Sequence, residues 1–346
     1  MKEADVSNTN PQPVTEIISG IYRIRIPLND NFEAGLDHLN AYLVKGTHGW
    51  LLIDTGWNKP ESFKSLEDSL LSLNLGFKDI RTIILTHSHP DHYGMAGAIK
   101  QQAPKIQMLC HRWEADLIES RYIKFAEPQQ DVAFLLQKHG VPGADLQPLG
   151  AASMPVLQMI TIAVPDQVLY GGEIISTGLF DLEVIWTPGH SPGHICLYEA
   201  KNRLLFCGDH ILPTITPNVG YHVLSGDNPL GEYLLALSKL SNLPVDYTHP
   251  GHEYSFTNLK GRIAAVVAHH QARENEIQNC IVNQFSNSYQ ITRQLTWSTK
   301  GMKWEKLPPL LKRAAITETI AHLEHMRWEG KIARTFQNNR FSYRPV

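Results

Sequence analysis

Apolar and polar positions along this chain follow two different periods, and the switches between them outline its elements. "GIYRIRI" alternates residue by residue, as a half-buried strand does. "AYLV" and "WLLID" flank the turn-prone "KGTHG", which predicts a hairpin. "ESFKSLEDSLLSLNLG" repeats its leucines at helical spacing and stops at glycine. "IRTIILT" reads as a buried strand, "GMAGAIKQQAP" as a helix and "KIQMLCH" as the next strand. Residues 113–140 are helical in pattern and rich in aromatics, and read as an inserted lid. Of those aromatics, Trp113, Tyr122, Phe125 and Phe134 are expected to be core more than pocket. "DLEVIWTPGHSPGHICLYEAKNRLLFCGDHI" returns to strands broken by turns, then comes a helix at "PLGEYLLALSKLSNL" and a strand ending in "YTHPGHEY". Strands alternating with helices predict an α/β fold, with sheet layers covered by helices.

The same pattern divides the chain. Residues 1–13 are polar and lack the apolar stretch of a signal peptide, so a disordered arm is expected there. The catalytic unit spans 14–260, a linking helix 261–283, and a second unit, helical with a strand-like end, 284–346. The composition, 42% hydrophobic and 19% charged over 346 residues, allows a sizeable core. No stretch approaches the roughly 20 apolar residues of a membrane helix, so no membrane partner is expected. Four cysteines without paired spacing suggest reduced thiols and a cytoplasmic protein. Charge is uneven. Residues 281–346 carry eleven Lys/Arg against four Asp/Glu, a net +7, which leaves −10 for residues 1–280. That tail could contact nucleic acid, the catalytic unit or a second copy in a homodimer. Packing is preferred, because Leu310, Leu311, Ala314, Ile320 and Leu323 need burial and Trp297, Trp304 and Trp328 suit a protein interface.

The chemistry concentrates in "THSHPDHYG", at the end of the "TIIL" strand. His87 and His89 are two apart, so in an extended turn both can face one point. Asp91 and His92 are adjacent and can serve a second. Imidazole and carboxylate are the ligand types a borderline divalent ion prefers, and a two-and-two division suggests two ions. Later strand ends offer His190 and His194 in "TPGHSPGH", Asp209 in "LLFCGDHI" and His252 in "THPGHEY". Asp209 could bridge both ions through its two oxygens. A purely structural role for "HSHPDH" would bury several polar groups at real cost.

These motifs, with the strand-ending Asp54 of "LLIDTG", resemble the metallo-β-lactamase-fold superfamily of hydrolases over roughly residues 15–260. The resemblance implies an αββα sandwich with the metal site along one sheet edge. It implies one ion held by His87, His89 and His190, a second by Asp91, His92 and His252, and Asp209 bridging. "TPGHSPGHICLY" and "PGHEY" are similar to the glyoxalase II group of thioesterases and to lactonases, which makes His194 a support of the ligands and not a ligand. "ILPTITPNVGYHVLSGDNP" lacks the Lys and Arg with which glyoxalase II holds glutathione. Residues 284–346 resemble the small winged-helix tail of a subgroup that includes a mitochondrial endoribonuclease relative.

The expected cofactors are two divalent cations, zinc by default with iron or manganese able to substitute. The expected reaction is hydrolysis of a small acyl thioester, lactone or ester by a metal-activated hydroxide. Asp91 can accept the proton of the attacking water, Asp54 orients the ligand loop, and Tyr221 can donate to a developing oxyanion. His38, Asn40, His210 and His222 are candidates to line the substrate pocket. Nucleic-acid phosphodiester hydrolysis, and an iron-dependent oxygenase or redox use of the fold, are the alternatives. The absence of basic residues near the motifs favours an uncharged or weakly charged acyl group.

Overall fold

The structure, a computed structural model, describes residues 12–28, 36–124, 127–298 and 302–346. Most of the expected arm, and Phe125, lie outside the described residues. Seven strands form the first sheet in chain order: β1 (Val14–Ile18), β2 (Ile21–Pro27), β3 (His38–Lys45), β4 (Trp50–Ile53), β5 (Ile80–Ile84), β6 (Gln107–His111) and β7 (Gln167–Leu169). The pairing is antiparallel from β1 to β4 and parallel from β4 to β7. The second sheet has the order β12-β11-β10-β9-β8, from β8 (Ile174–Ser176), β9 (Asp181–Trp186), β10 (Ile195–Glu199), β11 (Leu204–Gly208) and β12 (Tyr247–Pro250).

Side-chain alternation sorts these strands into layers. Tyr42 and Val44 on β3, Ile195 and Leu197 on β10, and Leu204 and Phe206 on β11 point between the sheets. Leu39, Ala41 and Leu43 point outward from β3 into a layer closed by α1 (Pro60–Ser72), the short α2 (Pro90–Tyr93) and α3 (Ala96–Gln102). Cys196, Tyr198, Leu205 and Cys207 point outward from the second sheet against α7 (Pro229–Ser241) and the start of α8 (Leu259–Val282). The result is an αββα sandwich. Among the described residues, no helix is long and apolar enough to cross a membrane.

The insertion after β6 comprises α4 (Arg112–Ile118), a wide helical turn over Glu119–Ile123, α5 (Glu127–Lys138) and α6 (Gly143–Gly150). It is not a free flap. Leu136, Val141 and Leu149 pack with Ile316 and Ile320 of α10 (Pro309–Trp328). The aromatic expectation for this insertion holds only in part. Trp113 and Phe134 are 42% and 51% exposed, while Tyr122 is half-buried and stacks on Tyr93 at 5.6 Å. A short α9 (Ser288–Thr292) and a hairpin of β13 (Ile332–Gln337) and β14 (Arg340–Pro345) complete the mainly helical C-terminal region.

Helix α10 is buried nearly all round from Ala315 to Met326 and packs against α6, α7, α8, α9 and β13. Helix α8 serves two layers: Ile263 and Val266 cover the second sheet, while Ile277 and Ile281 pack with Leu323, Met326 and Ile332. Trp297 is half-buried, donates to the carbonyl of Thr292 at 2.8 Å and lies under the Arg273 guanidinium. Trp304 packs on Tyr289, whereas Trp328 is exposed.

Candidate metal centre

Each ligand candidate stands where a strand of the sandwich ends at the same edge. His87, His89, Asp91 and His92 follow β5, Asp209 follows β11 and His252 follows β12, while His190 sits in the turn entering β10. Strand ends aim side chains well because the sheets behind them are rigid.

The donor atoms form two adjoining groups. His87 Nε2 and His190 Nε2 each lie 3.0 Å from His89 Nδ1. His92 Nε2 lies 3.3 Å from His252 Nε2, which is 3.1 Å from Asp91 Oδ2. Asp209 stands between the groups: its Oδ1 is 3.3 Å from His92 Nε2, and its Oδ2 is 3.4 Å from His252 Nε2 and 3.7 Å from His190 Nε2. In each group the ligand atoms all fall within 4.8 Å of one another.

The tautomers test whether a cation fits. His92 Nδ1 faces Asp54 Oδ2 at 2.8 Å, His252 Nδ1 faces the His38 carbonyl at 2.8 Å, and His190 Nδ1 faces the Asn218 carbonyl at 2.9 Å. Each such acceptor holds a proton on Nδ1 and turns Nε2 toward the other donors. Asp209 Oδ1 is buried among them without a hydrogen-bond donor. Imidazole Nε2 atoms and carboxylates gathered in this way suit a pair of divalent cations. Burial pushes His87 and His89 well below the ordinary imidazole value, so both are neutral, as ligation requires. Burial would lower His92 and His252 too, but the Asp209 carboxylate, aided by Asp91, outweighs it and holds both well above.

A shell of buried groups holds the donors. Asp54, at φ 59°, takes the Thr86 N–H and hydroxyl at 2.8 Å each besides the His92 ring. Asp tolerates that left-handed backbone better than most residues. His194 turns its Nε2 to the Asp209 backbone N–H at 3.2 Å and its Nδ1 to the Thr187 hydroxyl at 2.9 Å, so it faces away from the convergence point. Gly251 lets the strand-end loop approach: a Cβ there would come within 2.5 Å of Asp209 Oδ1 and 2.7 Å of His92.

The other site candidates are scattered. His38 and Asn40 are buried beneath the His252 loop, where Asn40 Nδ2 donates to the carbonyls of Pro250 and Glu253. His210 lies in the core between His194 and Tyr233, not at the mouth. Tyr221 packs among the Cys196 and Leu136 clusters, and its N–H donates to the Thr317 carbonyl of α10 at 3.0 Å. Its neighbour His222 is half-buried, and its N–H donates to the Ser225 hydroxyl at 2.8 Å.

Sequence reasoning also missed Glu114, which is fully buried in the first turn of α4 and accepts from the N–H groups of Ser88 and Gly193 and from the Ser191 hydroxyl. No motif surrounds it. Its only signal is an acidic residue in the first turn of a helix that follows a strand.

Comparison with known proteins agrees with this geometry. Over 310 residues the chain is 24% identical to the probable metallo-hydrolase YqjP of Bacillus subtilis, covering 86% of this chain and 91% of that one. It is 25% identical over 277 residues to the thioesterase pkgB of Emericella nidulans, covering 74% of this chain and 62% of the relative. The crystal structure of a metallo-beta-lactamase family protein from Thermus thermophilus superposes with a TM-score of 0.79 at 26% identity, over 96% of this chain and all of that one. The profile of the Metallo-beta-lactamase superfamily matches residues 34–252, which include every donor described above. With its sandwich, its strand-end donors and that match, the chain belongs to the metallo-β-lactamase superfamily.

Proposed function

We propose that this protein is a hydrolase that requires two divalent cations, zinc by default, and cleaves the thioester, lactone or ester of a small acyl compound. The observation that carries this reading is the pair of adjoining donor groups sharing Asp209. Cations held there supply a water of lowered pKa and polarise the carbonyl under attack. The chain's own residues do the rest. Asp91, buried beside His252, is placed to accept the proton that the attacking water gives up. Asp54, His194 and Glu114 keep the donors in register. Covalent catalysis by a thiol is not supported, because burial pushes Cys110, Cys196 and Cys207 up, Cys196 to about 12.

The thioester arm draws on the thioesterase of Emericella nidulans. A nuclease reading ranks second. Four basic residues of the C-terminal region pair with acids: Arg327 and Arg334 with Glu324, Lys331 with Glu274 and Glu329, and Arg293 with Glu305. Those pairs reduce the positive charge that the region can offer a polyanion. The test is a parallel assay on thioesters, lactones, esters and phosphodiesters, before and after chelation. Chelation should abolish acyl hydrolysis. Turnover of phosphodiesters alone, or acyl hydrolysis that survives chelation, would sink the proposal.

A further inference from the structure

The chain between β11 and α7, residues 209–228, contains no helix or strand, yet it starts with Asp209 and passes behind His190. Such a stretch keeps one shape only where its neighbours hold it. Helix α10 supplies much of that hold. The Asn218 side-chain amide donates to the Glu318 carboxylate and, at 3.5 Å, to the Ala314 carbonyl. The Tyr221 N–H donates to the Thr317 carbonyl at 3.0 Å. Gly220 lies so close that a Cβ there would come within 2.9 Å of the Thr317 hydroxyl. Val219 is fully buried, in the layer that also takes in Ala321. One turn of α10, from Ala314 to Glu318, thus grips the loop over residues 218–221.

Asn218 faces two ways. Its side chain is held by α10, and its carbonyl stands 2.9 Å from His190 Nδ1. That carbonyl accepts the Nδ1 proton, which turns Nε2 toward His89 Nδ1 at 3.0 Å and Asp209 Oδ2 at 3.7 Å. The backbone around His190 has a separate support, since Glu114 takes the Ser191 hydroxyl and the Gly193 N–H. Glu114 therefore fixes where the His190 side chain starts, and the Asn218 carbonyl fixes how its ring is turned. Without the Glu318 carboxylate, the Asn218 amide would keep only the longer bond to Ala314. Helix α10 lies outside residues 34–252, which match the superfamily profile.

We propose that Asn218 and Glu318 are positioning residues for His190, so that α10 completes the metal centre from outside the sandwich. This rests on the reading of the donor groups as a two-cation centre, and not on the choice of acyl substrate.

The test measures the zinc affinities of the full-length protein by competition with a chromophoric chelator. Asn218→Ala keeps the carbonyl and removes the amide. Asn218 is half-buried in a loop, so the fold should tolerate this change. One of the two zinc affinities should fall on the order of 10-fold, the lower end of the loss typical for groups behind a ligand. Glu318→Ala should weaken the same affinity. Glu318→Gln keeps an acceptor oxygen at the same reach and should restore most of it.

A His190→Ala background shows whether the effect runs through the ring. There Asn218→Ala should leave the remaining affinity within about 2-fold, as expected when the coupled partner is already gone. A fall as large in that background as in the wild type, or no fall in either, would make the contact merely structural and overturn the proposal.

Acyl-hydrolysis assays separate this proposal from the reading beneath it. Zinc affinity that depends on Asn218 through His190, with no thioester, lactone or ester cleaved, leaves the positioning role standing and removes the hydrolase assignment. Zinc-dependent hydrolysis with an affinity that neither Asn218→Ala nor Glu318→Ala changes overturns the positioning role alone. A protein that binds no zinc overturns both.

Discussion

The carboxylate of Glu114 accepts the backbone N–H of Ser88, the residue between His87 and His89, at 2.7 Å. The same carboxylate holds Gly193 at 2.8 Å, so one side chain fastens the loop of His87 and His89 to the loop of His190. Glu114→Ala should therefore weaken one metal group before the other. Competition with a chromophoric chelator should show affinity reduced on the order of 10- to 100-fold, with stability lower by about 1–3 kcal/mol for the unsatisfied donors. Unchanged metal affinity would remove Glu114 from this role.

The two donor groups predict stoichiometry. Protein purified without chelators should carry close to two divalent ions per chain by elemental analysis. His190→Ala should lower occupancy of one group and His252→Ala of the other. A content of one ion, insensitive to His252→Ala, would contradict the dinuclear centre.

Metal removal should also destabilise the fold, because an ion bound only by the native state adds to stability. The melting temperature should fall on chelation and return on adding zinc. An identical melting curve with and without chelator would mean that the donors are satisfied in some other way.

His194 and Asp209 should separate in their effects. Asp209→Ala removes the carboxylate between the groups and should abolish turnover. His194→Ala removes only the acceptor of the Asp209 N–H, 3.2 Å away, and should slow the reaction by about 10- to 100-fold while metal content stays near that of the wild type. Loss of both ions from His194→Ala would instead make it a ligand.

Glu318 gives a pH prediction. Burial raises its carboxyl to about 7, against the weaker lowering effects of Arg273 and the Asn218 amide. The folded pKa exceeds the unfolded one, so the native state binds the proton more tightly. The stability from that proton is complete below about pH 4.3, the unfolded value, and is lost as pH rises through about 7. Glu318→Gln should therefore be more stable relative to wild type at pH 8 than at pH 5. The difference should be on the order of 1–3 kcal/mol in denaturant titrations. A gap that does not change with pH would show that Glu318 stays ionised in the native state.

The donor set could be read from the chain because it is local: four of its seven residues fall within six positions, and each of the others closes a strand marked by apolar residues. The layered sandwich could be read for the same reason, since period-two alternation in "LLFCG" or "AYLV" sets which side chain enters which layer. Glu114 could not. It is a single ordinary residue in a helical stretch, and its role comes from long-range packing. That packing places α4 and α10 against loops 26 and 100 residues away in sequence.

Helix α10, buried nearly all round from Ala315 to Met326, has a consequence for synthesis. Domains fold as units while the chain emerges from its N-terminal end. The last donor, His252, is made more than sixty residues before Ala315. During that interval the outer faces of α6 and α7 and the late half of α8 have no cover, although Ile316, Ile320, Leu323 and Met326 will each later bury an apolar side chain worth about 1.5–3 kcal/mol. The nascent sandwich can gather its donors before it can hold them still, and the Asn218 loop behind His190 acquires its support from Glu318 only once α10 has been made. A ribosome-bound chain stopped short of α10 is thus a state in which sticky surface and a half-built cation trap coexist, a natural target for chaperones.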